Sequence, residues 1–261
     1  MIFETHAHYD DKAFNDDREK LLREMKEAGI ERAVNVAASL KGSKDSLKLS
    51  KEHDFIYCSM GVHPSEVWEL TEEKLEDMEQ MIEENALSKG GKVVAVGEIG
   101  LDYHYPEPGP KLQKKWFKEQ LRMGNRLNLP FIIHSREAAR ETFDLMKECK
   151  AENQGGIIHC YSYSAQMAKE FINLGYYFGI GGVITFKNAR KLVEATEIIP
   201  LERIVLETDS PYLAPVPYRG ERNSSLNLPI IAKQIADIKK IPVEELIQIT
   251  WENACKVYRF H

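Results

Sequence analysis

Short apolar runs alternate with longer amphipathic stretches along the whole chain, and this alternation restricts the possible folds more than any other feature. Between the runs, apolar residues recur at helical spacing, as in Leu75, Met78 and Ile82. The predicted strands are residues 1–5, 32–37, 55–60, 93–98, 130–134, 156–160, 176–181 and 203–208. Because these runs are apolar on nearly every residue, they indicate a parallel sheet covered by helices on its faces. Eight strand and helix units predict an α/β fold of the (β/α)8 TIM-barrel type.

The chain length fits this fold without a second domain. A (β/α)8 barrel commonly has about 250 residues, so the 261 residues predict a single domain over 1–261. The alternative, an open doubly wound sheet, is disfavoured because no GxGxxG or GxxxxGK pattern follows any predicted strand. A Pro- and Gly-rich segment at 209–229 predicts a long loop on a binding face.

Composition excludes several classes of protein. With 43% hydrophobic and 29% charged residues, the chain is neither disordered nor membrane-like, and we expect a cytoplasmic protein. The four cysteines are scattered without a CxxC pair, so neither a zinc knuckle nor a disulfide framework is indicated. A net charge of −6 argues against a broad basic surface for duplex DNA, although it allows a local cationic pocket.

Residues of metal-ligand type lie at or just after the predicted ends of several strands, where barrels of this type place their catalytic groups. They are His6, His8, His63, Glu98, His134, His159 and Asp209. A single histidine at a strand end is commonly structural, but this many together indicate a divalent metal site. Two further histidines, His53 and His261, lie in polar or terminal context and are expected to be solvated.

The sequence resembles the TatD family of metal-dependent deoxyribonucleases, within the metal-dependent hydrolase superfamily of barrels. Matching motifs span the chain: THAH, GVHP, VAVGEIGLDYH, LPFIIHSR, IIHCYS, GYYFGIGGVITFKNA, LETDSPYLAP, RGERN and NACKVYRF. The resemblance places the family's metal ligands on His6, His8, Glu98, His134, His159 and Asp209. This sequence departs from the family's usual motifs at Glu4, where relatives usually have Asp, and within the segments HCYSYS and RNSS. These departures leave the ligand set intact.

The expected cofactor is a pair of divalent metal ions, with zinc, manganese and magnesium all open, although four imidazoles favour a transition metal. We predict that Glu98 bridges the two ions, one bound by His6, His8 and Asp209 and the other by His134 and His159. Such a centre suits hydrolysis of a phosphodiester by a metal-activated water. Glu98 and Asp209 are the predicted catalytic carboxylates, and Asp209 is the hypothesised general base.

The resemblance implies a DNA substrate, and we expect exonuclease action on single-stranded or frayed ends. No membrane association and no obligate protein partner are expected. Predicted substrate contacts come from His63, Arg136 and Arg219, with Arg222 and Lys187 as further cations on the same face. Tyrosines in the predicted loops could stack on unpaired bases. They are Tyr9, Tyr103, Tyr105, Tyr161, Tyr163, Tyr212 and Tyr218.

The sequence also allows two other functions. The same metal centre could hydrolyse an ester or amide, such as an aminoacylated nucleotide, because related barrels attack carbonyl groups. Glu98 occupies the position at the end of the fourth strand where typical amidohydrolases carry a carbamylated lysine, which disfavours this alternative. A barrel that only binds, without turnover, is disfavoured because buried carboxylates and histidines are costly to retain without a role.

Overall fold

All eight predicted strands are present. The computed structural model describes residues 1–260, so the expected exposure of His261 lies outside the described residues. The strands are β1 Ile2–Ala7, β2 Ile30–Val36, β3 Ile56–Met60, β4 Val93–Asp102, β5 Phe131–Arg136, β6 Gly156–Ile158, β7 Tyr177–Ile180 and β8 Ile204–Leu206. They follow one another in chain order in one sheet, and β3 to β6 and β7 with β8 pair in parallel. This order confirms the predicted (β/α)8 class.

The chain divides into two compact units. The first unit comprises residues 1–34, 160–173 and 177 to the end of the described chain, and the second comprises residues 35–159 and 174–176. Strand β2 begins in the first unit, and its last two residues belong to the second. The expectation of a single domain over 1–261 stays a prediction.

In the first unit, α9 packs against β1 and β8, and α8 packs against β8. Its helices are α1 Arg18–Glu27, α6 Ala165–Asn173, α7 Arg190–Ile198, α8 Leu228–Lys239 and α9 Val243–Val257. The ring of Phe3 on β1 lies 5.6 Å from that of Trp251 and 5.8 Å from that of Tyr258. The Tyr258 hydroxyl also donates to the carbonyl of Thr5 at 2.8 Å. These contacts fix β1, the strand that carries His6 and leads directly into His8, against α9.

The second unit holds α2 Leu40–Glu52, α3 Glu72–Asn85, α4 Pro110–Leu127 and α5 Ala139–Glu148. Helix α3 begins where the Thr71 hydroxyl accepts the amide of Lys74 at 3.2 Å, a side-chain cap. Its predicted apolar face is confirmed, since Leu75, Met78 and Ile82 are buried. In α4, a Cβ on Gly124 would lie 2.2 Å from a ring carbon of Phe131, so glycine permits the close approach of this helix to β5.

Strand bounds differ from the prediction where they matter for function. Strand β4 continues beyond Glu98 to Asp102, and all ten of its residues are buried. Strand β5 continues beyond His134 to Arg136. Glu98 and His134 therefore lie within their strands, and the prediction that they end them was wrong. Parallel pairing of β4 with β5 extends through Asp102 and Arg136, which explains the added length.

The helices are too short or too polar to cross a membrane. Within residues 1–260, none of them combines the length and the apolar character that spanning a bilayer requires.

Candidate metal centres

Three predicted ligands of the first unit converge, and we call them the His6 cluster: His6, His8 and Asp209. The Nε2 atoms of His6 and His8 lie 3.2 Å apart. The Oδ1 atom of Asp209 lies 3.7 Å from Nε2 of His6 and 3.3 Å from Nε2 of His8. Their side chains are 1%, 13% and 16% exposed, respectively, so the cluster is reachable from solvent through His8 and Asp209.

These separations fit a divalent ion. Ligand atoms about 2.1 Å from a metal lie roughly 3.0 Å apart at right angles and roughly 3.4 Å apart in a tetrahedron. The three observed separations, 3.2, 3.3 and 3.7 Å, are close to this range. Two imidazole nitrogens and one carboxylate oxygen form a donor set that suits a divalent transition metal such as zinc.

Backbone contacts between β1 and the segment after β8 place these three side chains. The amide of Asp209 donates to the carbonyl of His6 at 2.9 Å, and the amide of His8 donates to the carbonyl of Ser210 at 2.8 Å. Asp209 itself has a left-handed backbone, with φ of 58°. Aspartate tolerates this conformation better than most residues, and here it turns the chain three residues after the short strand β8 ends at Leu206.

Three predicted ligands of the second unit form the Glu98 cluster: Glu98, His134 and His159. Oε1 of Glu98 lies 2.7 Å from Nδ1 of His134 and 3.6 Å from Nε2 of His159. The side chains of Glu98 and His159 are 4% and 3% exposed. His159 follows β6 directly, and its amide donates to the carbonyl of Ile133 at 3.0 Å. One buried carboxylate oxygen therefore faces two imidazole nitrogens.

Sequence reasoning missed Asp102, which holds the far side of the His134 ring. Oδ2 of Asp102 lies 3.1 Å from Nε2 of His134, and Oδ1 accepts the amide of His104 at 2.9 Å. Gln113 fixes the backbone of Asp102 by accepting its amide at 2.8 Å and donating to its carbonyl at 2.7 Å. A carboxylate that receives one ring N–H leaves the other nitrogen free to ligate a cation, as in many metalloenzymes.

The pKa values of His134 and Asp102 are shifted by burial and by the hydrogen bonds of the two side chains. Burial lowers the pKa of His134, but hydrogen bonds to Asp102 and Glu98 outweigh burial and leave the pKa raised. Burial raises the pKa of Asp102, but the hydrogen bond to His134 and the amide of His104 leave the pKa lowered overall.

The sequence held one signal that could have identified Asp102. In β4, residues 98 and 102 are an even number apart, and such residues share one face of a strand.

His63 also lies in the second unit, beside the Glu98 cluster. Its Nε2 is 3.9 Å from Oε1 of Glu98, and its ring centroid is 4.3 Å from that of His134. Nδ1 accepts the backbone amide of Ser65 at 3.2 Å. Nδ1 also lies 2.9 Å from the Ser65 hydroxyl, so this nitrogen is engaged with Ser65, and Nε2 is the ring atom that faces the Glu98 cluster.

The predicted substrate-binding arginines lie at aromatic rings. Arg136 is the exposed last residue of β5, with its guanidinium 5.7 Å from the ring centre of Tyr105. Arg219 lies 4.4 Å above the ring of Phe186. Arg222 instead forms paired hydrogen bonds with Asp17 at 2.7 and 2.5 Å, so this cation is already engaged.

The tyrosine prediction is wrong at two positions. Tyr9 is fully buried and its hydroxyl lies 2.6 Å from Oγ of Ser225, while Tyr161 is 2% exposed and donates to the carbonyl of Ser164. Neither ring is available to a base, because each fills the core of the first unit. Tyr105, Tyr212 and Tyr218 are exposed, and Tyr212 lies 6.3 Å from the ring of His8.

Comparison with known proteins finds relatives over the whole chain. The family model described as TatD related DNase matches residues 3–259. The chain is 38% identical over 261 residues to the uncharacterized metal-dependent hydrolase YabD of Bacillus subtilis, with 100% of both sequences covered. It is 33% identical to the uncharacterized metal-dependent hydrolase YcfH of Escherichia coli, covering 99% of this chain and 96% of YcfH. Among solved structures, the TatD homolog YJJV of Escherichia coli is similar with a TM-score of 0.92 and 29% identity, over 100% of this chain and 98% of that one.

Proposed function

The chain belongs to the TatD family of metal-dependent hydrolases, and from this membership we propose that it hydrolyses the phosphodiester bonds of DNA. The proposed action is that of an exonuclease on single-stranded or frayed ends. The observation that carries the proposal is the His6 cluster, in which two imidazole nitrogens and a carboxylate oxygen lie 3.2 to 3.7 Å apart. The bridging role of Glu98 and the number of two ions stay predictions.

The charge of the His6 cluster suits a phosphate anion. Neutral imidazoles add no charge, so a divalent ion held by them and by the single carboxylate of Asp209 would leave a net positive charge at the cluster. This local charge would attract a phosphodiester without a basic surface elsewhere, which fits a chain of net charge −6. Divalent ions, when bound, supply Lewis acidity that acidifies water and offsets phosphate charge.

The residues themselves supply the remaining steps. The Asp209 carboxylate, 16% exposed, is assigned to orient the attacking water and accept its proton. His63, whose Nε2 faces the Glu98 cluster, is assigned to bind a phosphate oxygen of the substrate through that nitrogen. Arg136 and Tyr105 form an exposed cation and ring pair that could hold a neighbouring nucleotide through its phosphate and base.

Substrate selection tests the proposal directly. Protein stripped of metal and reconstituted with Mn²⁺, Zn²⁺ or Mg²⁺ is assayed on single-stranded, duplex and abasic DNA, beside aryl ester and aryl amide substrates. Stepwise shortening of single strands from one end is expected. Cleavage of the ester or amide substrates alone would overturn the proposal in favour of the alternative hydrolase.

The role of Asp209 is tested by Asp209→Asn. Removal of the base is expected to lower kcat by at least about 100-fold, while Zn²⁺ binding, measured by elemental analysis, is partly retained because the amide oxygen still ligates. Asp237→Asn is the control, because Asp237 is an exposed carboxylate of α8 that pairs with Lys233 in the same unit. Full activity of Asp209→Asn would remove the assigned role.

A further inference from the structure

A fully buried carboxylate lies behind the His6 cluster. Glu4 stands two residues before His6 on β1 and is 0% exposed. Its Oε1 accepts the amides of His6 at 3.1 Å and of Thr208 at 2.9 Å. Its Oε2 accepts the hydroxyls of Thr208 at 2.6 Å and of Ser225 at 2.8 Å. Glu4 therefore connects three separate segments of the first unit through a single side chain.

The proton positions around Glu4 are mutually consistent. Since Ser225 uses its hydroxyl proton on Glu4, the Tyr9 hydroxyl at 2.6 Å donates to Ser225, and the amide of Ser225 donates back to Tyr9 at 2.9 Å. By the same reasoning Ser210 donates to Thr208 at 2.6 Å. The donors all point inward, so the two carboxylate oxygens are fully used as acceptors.

Glu4 is not itself a ligand. None of the groups of potential ligands among residues 1–260 contains it, and its oxygens are occupied by the four hydrogen bonds described above. It can act on a cation only through the residues it holds. Those residues adjoin the cluster: His6 is a member, and Thr208 immediately precedes Asp209.

We propose that Glu4 is a positioning residue for the His6 cluster, which joins β1 to the segment after β8 so that His6 and Asp209 keep the separation a divalent cation requires. This inference rests on the proposed function, because it assumes that the cluster binds a cation. A direct bond between the same segments, from the Asp209 amide to the His6 carbonyl, sets the backbone distance. A second backbone bond, from the His8 amide to the Ser210 carbonyl, fixes the direction of the two segments. Glu4 adds a side-chain link from β1 to the amide and hydroxyl of Thr208, the residue that precedes Asp209.

The length of the side chain is part of the inference. Aspartate is shorter by one C–C bond, about 1.5 Å, so its carboxylate could not stay within hydrogen-bond distance of both Thr208 and Ser225. Glutamine keeps the length and one acceptor oxygen, and both hydroxyls can rotate to accept from its amide nitrogen. Glu4→Gln therefore preserves the geometry, whereas Glu4→Asp and Glu4→Ala lose it.

The test is the affinity of the His6 cluster for Zn²⁺, measured by calorimetry on protein stripped of metal. A His134→Ala background weakens the Glu98 cluster, so that binding at the His6 cluster dominates. Glu4→Ala and Glu4→Asp are expected to weaken Zn²⁺ binding by about tenfold or more, the usual effect of removing a group that orients a ligand. Glu4→Gln is expected to stay within about threefold of the parent.

Tyr258→Phe is the matched control, because it removes a different buried hydrogen bond to β1, that to the carbonyl of Thr5. A purely structural role of Glu4 predicts lower thermal stability with unchanged Zn²⁺ affinity, as in this control, and that outcome overturns the inference. If Glu4→Ala fails to fold, Glu4→Asp and Thr208→Val give the same comparison, and unchanged affinity in both overturns it too. If the parent binds no Zn²⁺, the proposed metal chemistry fails, which is a separate result.

Discussion

Replacing Asp102 by Asn tests how the Glu98 cluster is oriented. One oxygen of Asp102 accepts the amide of His104, and the other faces Nε2 of His134. In the variant the amide oxygen must take over the bond from His104, so the amide NH2 turns toward His134. Nε2 then has to become an acceptor, and the ring proton moves to Nδ1, the nitrogen that faces Glu98.

The expected magnitude follows from this change of tautomer. With a proton on Nδ1, His134 cannot offer that nitrogen to a cation unless it gives up its hydrogen bond with residue 102. Loss of a carboxylate that orients a ligating histidine commonly weakens metal binding by about 10- to 100-fold, or roughly 1.4 to 2.7 kcal/mol. We expect Asp102→Asn to lie in this range, because a hydrogen bond to a charged group contributes about 1.5 to 3 kcal/mol.

Two measurements check the prediction. Calorimetric titration with Zn²⁺ in a His8→Ala background reports the Glu98 cluster, and nitrogen NMR of the imidazoles reports which nitrogen of His134 is protonated. Asp144→Asn, an exposed carboxylate of α5 that pairs with Arg140, is the control and should bind like the parent. Zn²⁺ affinity within twofold of the parent, with the proton still on Nε2, would refute the reasoning.

Two further predictions concern side chains that are not themselves candidate ligands. Burial raises the pKa of the Cys58 thiol to about 12, and the side chain is 0% exposed. Iodoacetamide, which reacts with the thiolate, should therefore modify Cys58 in urea but not in the folded protein, and equal rates would contradict this. Asn223 donates to the carbonyls of Thr208 and Tyr212 at 2.9 and 2.8 Å, so Asn223→Ala should lower the free energy of unfolding in urea by about 1 to 3 kcal/mol. A decrease under about 0.5 kcal/mol would show that the loop after β8 does not depend on this side chain.

Much of the fold was predictable because its signals are local. Apolar runs and helical spacing depend on residues within about a dozen positions of each other, and they located every strand and the buried face of α3. Strand ends were less predictable, because pairing with a neighbour decides where a strand stops. Strand β4 extends to Asp102 since β5 pairs with it that far, and no pattern within β4 itself marks this limit.

The candidate ligands were also predictable, but the groups around them were only partly so. His6 and His8 alternate with a residue between them, so their shared face follows from strand geometry alone. Asp102 was missed although it shares a strand face with Glu98. Tyr9 and Tyr161 were misassigned to the rim because aromatic rings suit both a core and a cleft, and only their neighbours decide between the two.

The sequence by itself determined which chemical groups are available, the alternation of strands and helices that forms the scaffold, and the shared face of His6 and His8 at the end of β1. Only the tertiary structure decided which atoms meet. Asp209 reaches His6 and His8, and Glu4 reaches Thr208, across about 200 residues of chain. Such contacts depend on how the elements pack together, because the side chains that form them share no local pattern in the sequence. Their positions therefore follow from burial and hydrogen bonding within the folded unit.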